Sequence, residues 1–271
     1  MKTKLKTLLL ACLPAWLQRR WQWQWFRGDC RSWAEARAAS VGYDDAAILQ
    51  RAVAAARAVR AGQAAWERDG TLFTEPAVHA PLLAALRRAA EENGRHLAVL
   101  DFGGALGSTW WQHRPELTGL TRVDWRVVEQ AAFVAAGCRE FTDATLGFYP
   151  TVAAACEDGR PNTLLLSSVL QYLETPRQLL ADMIARDFAH IIIDRTSFAR
   201  DGRERLVVQH TPPALGGGSY PCWIFDRRQM TELFDAKYEL VAEWPGFDDV
   251  GDRRVEFRGF HYRRKPHAGR I

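Results

Sequence analysis

Four short apolar runs, separated by stretches of helical length, constrain this chain most. They are Leu97–Leu100, Val123–Val128, Thr163–Leu166 and Ile191–Ile193. A mainly apolar run is what a strand covered on both faces requires. Between them, Gln130–Ala136, Val152–Glu157 and Pro176–Phe188 have helical character. Strands alternating with helices predict an α/β fold with a parallel sheet and right-handed crossovers. Tyr238–Trp244 and Val255–Tyr262 are also strand-like, but only Pro245–Asp252 joins them. That short connection predicts an antiparallel pair closing the sheet.

From Ser32 to about Asn93 the pattern is helical. Ser32 is placed to cap a helix, with Glu35 three residues on. Asp44 and Asp45 precede Ala46–Arg60, where Ile48, Ala52, Ala55 and Val59 share one face. Pro81–Glu92 reads as a further helix, ended by Asn93-Gly94. The organisation expected is a basic, Trp-rich segment (1–31), a helical cap (32–94), an α/β domain (95–265) and a tail (266–271).

The net charge of +4 is a sum of unlike parts. Residues 1–31 and 253–271 each carry seven basic residues and one acid, which leaves 22 basic against 30 acidic residues between them. Such ends suit anionic lipid or nucleic acid, or are solvated tails. Leu8–Leu17 follows three lysines but is far short of the ~20 residues that span a bilayer. No small-x-small cleavage site follows it before Arg19-Arg20. The Trp21–Phe26 stretch fits either a membrane interface or a helix docked by its aromatic face. The five cysteines are odd in number and lack metal-ligand spacing, which predicts reduced thiols in the cytoplasm and no metal site.

The stretch most informative for chemistry is Val99-Leu-Asp101-Phe-Gly103-Gly104-Ala105-Leu106-Gly107-Ser108. A strand ends in an acid, and a glycine-rich turn leads into a helix. Glycines let a ligand approach the backbone, and helix N-terminal amides favour anions. The dinucleotide pattern GxGxxG fails at Ala105 and Ser108, and the P-loop lacks GK[ST]. The turn is similar to D-x-G-x-x-x-G, the first motif of class I S-adenosylmethionine-dependent methyltransferases. Ala105 stands for the usual middle glycine, a departure tolerated where its φ is negative.

Further segments extend the resemblance. Ser32-Trp33-Ala-Glu-Ala36, Gly42-Tyr43-Asp44, Glu67-Arg68-Asp69, Leu100–Gly104, Val127-Val-Glu-Gln130, Ser167–Leu173, Ile193-Asp-Arg-Thr196 and Ser219-Tyr-Pro-Cys-Trp-Ile224 occur in that order. Over about residues 26–262 the chain resembles a small family of uncharacterised bacterial methyltransferases often met in surface-polysaccharide contexts. The resemblance implies a Rossmann-like, seven-stranded, mostly parallel sheet behind a helical cap, with S-adenosylmethionine as cofactor. It places Asp101, Gly103, Gly104, Ala105 and Gly107 at the cofactor loop, and Glu129 on the ribose hydroxyls unless it caps the next helix. Asp143 is placed after the third strand, near the adenine amino group, unless it is a solvent-exposed loop aspartate. Ser167 and Ser168 flank the reactive methyl.

Candidates for catalysis are Asp194 at the end of the fifth strand, His210 as a general base, and Tyr220 in the loop Gly216-Gly-Gly-Ser-Tyr220-Pro, a lid over the acceptor or a flexible connection. Glu67-Arg68-Asp69 either folds over the cofactor or forms a local salt-bridge group. The acceptor implied is a small molecule, a saccharide or lipid-linked saccharide. The protein would work in the cytoplasm, with membrane contact through residues 1–27. The alternatives are a catalytically silent binding scaffold and, with less support, a nucleic-acid methyltransferase, since no Asn/Asp-Pro-Pro-aromatic motif is present.

Overall fold

The structure, a computed structural model, describes residues 25–41, 45–212, 217–248 and 250–266. In chain order the elements are β1 (Phe26–Cys30), α1 (Trp33–Ala38), α2 (Asp45–Arg60), β2 (Trp66–Arg68), β3 (Thr71–Phe73), α3 (Ala80–Glu91), β4 (His96–Phe102) and α4 (Ser108–Leu117). Then come β5 (Arg122–Val128), α5 (Ala131–Glu140), β6 (Leu146–Tyr149), β7 (Thr163–Ser167), α6 (Pro176–Ala185) and β8 (His190–Ala199). The chain closes with β9 (Arg205–His210), β10 (Ser219–Ile224), α7 (Arg227–Glu232), β11 (Tyr238–Pro245) and β12 (Val255–Arg264).

The central sheet has seven strands in the order β11-β12-β8-β7-β4-β5-β6. Five run parallel, and β12 pairs antiparallel with both β8 and β11. This is the seven-stranded, mostly parallel sheet that the resemblance implies. The apolar runs serve both faces by strict alternation. Val99, Val127, Leu165 and Ile192 join one core with Leu86 of α3 and Trp110 of α4. Leu100, Val128, Leu164, Leu166, Ile191 and Ile193 join the other, with Leu180 and Met183 of α6.

Several sequence expectations differ from the structure. The third strand is β6, which begins after Asp143 rather than before it. Val152–Glu157 contains only a short 3₁₀ turn, Ala154–Cys156. A second antiparallel sheet, β1-β9-β10, was not anticipated. Nor is the region 32–94 purely helical, because β2 and β3 form a hairpin within it. α1 is capped as expected: Ser32 Oγ accepts the Glu35 N–H at 3.2 Å, and a Glu35 carboxylate oxygen accepts the Arg31 N–H at 2.8 Å. That helix packs on the second sheet, Ala36 against Leu206 and Val208, whereas residues of α2 and α3 join the core of the first. The caps expected at Asp44 and Asp45, most of the segment 1–31, and Gly42-Tyr43-Asp44 lie outside what is described. Among the described residues no helix is long and apolar enough to cross a membrane.

Two histidines are buried where β8 meets β12. His190 Nδ1 and His261 Nε2 are 3.0 Å apart, and Glu92 lies 3.7 Å from the far side of His190. Burial, then the neighbouring His190, pushes His261 from its ordinary 6.5 to about 4, and burial also lowers His190. The folded chain keeps these rings neutral, while the unfolded chain protonates them near pH 6.5. Their contribution is therefore complete above pH 6.5 and is lost as pH falls toward 4. In urea unfolding, the lead of wild type over His261→Gln should shrink between pH 7 and pH 5, by up to about 1.4 kcal/mol per pH unit. A lead that stays constant or widens would contradict this.

Candidate functional site

The glycine-rich turn joins β4 to α4 at the C-terminal edge of the parallel strands. Its path needs left-handed backbone at Gly103 (φ 75°) and Gly107 (φ 84°). A Cβ on Gly103 would sit 2.5 Å from Val169 Cγ2, and one on Gly104 would sit 2.5 Å from the Asp101 carboxylate. Only hydrogen fits at either place, so the turn is pressed onto its own supports and its outer side is bare backbone. Ala105 departs from the sequence expectation, since its φ is +51°. A left-handed alanine costs about 1–2 kcal/mol. Ala105→Gly should therefore leave the melting temperature unchanged or raise it, whereas Ala105→Val should lower stability by about 1–2 kcal/mol. Thermal unfolding of the two variants checks the order.

Two carboxylates stand under and beside this turn. Asp101 is buried and accepts the Trp125 indole N–H at 2.9 Å. Burial, assisted by Glu129, pushes its carboxyl up to about 7. Glu129, just past the end of the adjacent strand β5, accepts N–H groups from Ala105 at 3.3 Å and Gln130 at 2.7 Å. Burial raises its pKa also. A carboxylate offers about four acceptor sites, so Glu129 keeps capacity for further donors.

The β2–β3 hairpin closes over the turn and makes a cleft of about 770 Å³, part of it open to solvent. Glu67 is buried and bonded to the Ser108 hydroxyl and to the Gly70 N–H at 3.1 Å. Asp69 lies 3.8 Å from Arg195, whose guanidinium is held by Asp248 at 2.9 and 3.1 Å. The cluster Glu67-Arg68-Asp69 thus folds over the glycine turn from outside the sheet.

Across the cleft, Asp194 ends the parallel part of β8, beside Ser167 of β7. It is 1% exposed. Its carboxylate accepts from His79 Nε2 at 3.1 Å, from Trp244 Nε1 at 2.9 Å and from Ser167 Oγ at 3.4 Å. Burial pulls its pKa up, but the His79 and Trp244 hydrogen bonds outweigh that and hold it below the usual range. An ionised, fully engaged carboxylate is a poor base, so Asp194 is better suited to position His79 than to act itself. With Nε2–H held by Asp194, the basic atom of His79 is Nδ1. His113 lines the same cleft, accepting the His79 backbone N–H at 3.3 Å through Nε2.

The cleft brings together Asp101, Gly103, Gly104, Ala105, Ser167, Ser168 and Asp194. Gly107 caps α4 at the end of the turn, and Glu129 touches the turn from the β5 side. Three expected residues fall elsewhere. Asp143 precedes β6, on the edge opposite the cleft, where its carboxylate accepts the Thr145 and Leu146 N–H groups at 2.7 and 2.8 Å. That is a turn role. His210 ends β9 in the second sheet, its N–H bonded to the Trp25 carbonyl at 2.7 Å. Tyr220 is on β10 beside it, edge-on to Tyr172 at 5.1 Å. Neither lines the cleft, because the sheet that carries them is separate from the parallel one. Gly216 of the expected lid lies outside the described residues. Sequence reasoning missed His79 as a site residue; it sits between two prolines in Pro76-Ala-Val-His-Ala-Pro81, which carries no periodic signal.

No protein-family model matches the chain, and no curated protein is similar to it at a significant level. Among solved structures it is similar to the N-terminal domain of EvdMO1, determined in the presence of SAH and D-fucose, at 16% identity over 82% of this chain and 98% of that one, with a TM-score of 0.49. It is similar also to magnesium protoporphyrin IX methyltransferase (ChlM) from Synechocystis PCC 6803 with bound SAM, at 15% identity over 69% and 77%, TM-score 0.44. A third is the Burkholderia thailandensis 1,6-didemethyltoxoflavin-N1-methyltransferase, at 19% identity over 83% and 92%, TM-score 0.43.

Proposed function

We propose that this protein is an S-adenosylmethionine-dependent methyltransferase acting on a hydroxyl of a small acceptor, a saccharide or lipid-linked saccharide. One juxtaposition carries the reading. The glycine turn and Glu129 lie at the ends of the neighbouring strands β4 and β5, and the His79–Asp194 pair lies across the same cleft edge. The residues present fit the cofactor: a turn on which a Cβ has no room, and a carboxylate at the end of the next strand with acceptor sites to spare.

In this reading Gly103–Gly107 receive the amino-acid end of the cofactor on bare backbone, and Glu129 accepts from its ribose hydroxyls. S-adenosylmethionine, when bound, supplies a methyl group on a positively charged sulfur. Asp194 holds His79 by Nε2, and His79 Nδ1 takes the proton of the acceptor hydroxyl. A positioned base of this kind contributes about 10²–10⁴ in rate, with alignment of the reacting atoms supplying more. Trp244 and Phe247 pack edge-on to the His79 ring at 6.4 and 4.9 Å and limit its rotation. The lipid-linked form of the acceptor and contact with a membrane rest on the basic, Trp-rich segment 1–31, most of which lies outside the described residues. The strained Ala105 favours one other reading, a scaffold that binds cofactor without turnover.

Isothermal titration with S-adenosylmethionine tests the cofactor. Binding is expected, and Glu129→Ala should weaken it about tenfold, the effect of losing one charge-assisted hydrogen-bonding partner. A folded protein that binds nothing at millimolar ligand would sink the proposal. With an acceptor that supports turnover, His79→Asn should lower kcat by about 10²–10⁴ with little change in KM. A fall confined to KM would assign His79 to binding, and retained kcat with cofactor binding intact would remove it as the base.

A further inference from the structure

We infer that the acceptor carries a carboxylate or phosphate group, and that Arg68 is the residue that binds it. The inference rests on the reading of the cleft as the acceptor site and names the class of molecule it takes. Arg68 stands at the tip of the β2–β3 hairpin with its guanidinium over two aromatic rings, 4.7 Å from the centre of Trp66 and 3.9 Å from that of Phe247. Stacking fixes the plane of the group and leaves its N–H edge for a ligand. No carboxylate lies within 4.0 Å of it and its side chain makes no hydrogen bond among the described residues, in contrast to Arg195, which Asp248 holds with two.

The other charges facing the cleft are already answered. Glu67 is bonded to Ser108 and Gly70. Asp194 is engaged by His79 and Trp244. Asp69 leans toward Arg195. Asp101 lies beneath the turn, bonded to Trp125. Arg68 feels the charges of Asp248, Asp69 and Asp194, but none of the three accepts a hydrogen bond from it. Arg68 is half-buried, and burial, then the nearby Arg195, lowers it to about 10, so it stays charged at neutral pH. A half-buried guanidinium whose N–H groups have no acceptor gains charge-assisted hydrogen bonds when an anion reaches it.

Placement gives the anion its relation to the chemistry. Arg68 and His79 lean on the same ring, Phe247. An acid bound at Arg68 and a hydroxyl at His79 therefore belong to one small molecule. A uronic acid or a sugar phosphate has that form, and a neutral sugar would leave Arg68 unanswered.

The test is calorimetric titration of the full chain, saturated with S-adenosylhomocysteine, against D-glucuronate, glucose 1-phosphate and D-glucose. At least one acid should bind tenfold or more tightly than glucose, and the acid preferred identifies carboxylate or phosphate. Arg68→Gln should erase the preference and Arg68→Lys should retain part of it, with the affinity for S-adenosylhomocysteine unchanged in both, which also reports that they fold. Acids that bind no better than glucose, or a preference that survives Arg68→Gln, would overturn the inference. So would a tenfold loss of S-adenosylhomocysteine affinity in Arg68→Gln, because Arg68 would then hold the cofactor's own carboxylate. Repeating the titrations without S-adenosylhomocysteine separates the two readings. An Arg68-dependent acid preference in a protein that binds no S-adenosylhomocysteine would leave the anion site standing and remove the methyltransferase reading.

Discussion

The buried carboxylate of Asp194 is the interaction on which the site depends. It gathers a side chain from β7, one from β11 and one from the residue before α3, so three separate parts of the chain meet at one ion. Such a charge is tolerable at 1% exposure only while its donors stay in place. Loss of one leaves a buried ion short of partners, which costs several kcal/mol. That penalty keeps His79 in one orientation and fixes the wall on which Phe247 and the hairpin close.

The opposite wall is fixed by crowding rather than by charge. Gly103 and Gly104 are pressed onto Val169 and Asp101, leaving no volume for a side chain. The turn is thereby rigid, and its exposed edge is main chain. A rigid polar edge on one side and an ion-held histidine on the other give a cleft whose two halves suit different tasks, one binding and the other chemistry. The hairpin links them, with Glu67 bonded to the helix that follows the turn and Arg68 reaching the aromatic wall.

What was legible in the sequence follows from the range of the interactions involved. Most of the parallel strands are apolar runs because helices cover both faces, and such runs are visible without knowledge of neighbours; β5 is the exception, with Asp124 and Arg126 paired within it. The glycine turn and Glu129 lie at strand ends, so locating the strands located them. β6 was hidden because it is four residues long and contains Gly147, so the expected order placed Asp143 on the wrong edge. β2 and β3 are three residues each, and Glu67-Arg68-Asp69 looks like a solvated charge cluster until the hairpin packs it onto the turn. His79 gains its meaning from a partner 115 residues away. His210, the candidate base in the sequence, ends a strand that belongs to another sheet.

The account's central claim is that cofactor and acceptor meet between the glycine turn and the His79–Asp194 wall. A crystal structure of the protein with S-adenosylhomocysteine tests it most directly. The account predicts the amino-acid end of the ligand on Gly103–Gly107, its ribose hydroxyls on Glu129 and its sulfur facing His79 across the cleft. A ligand seated elsewhere, or one whose sulfur faces away from His79, would contradict it.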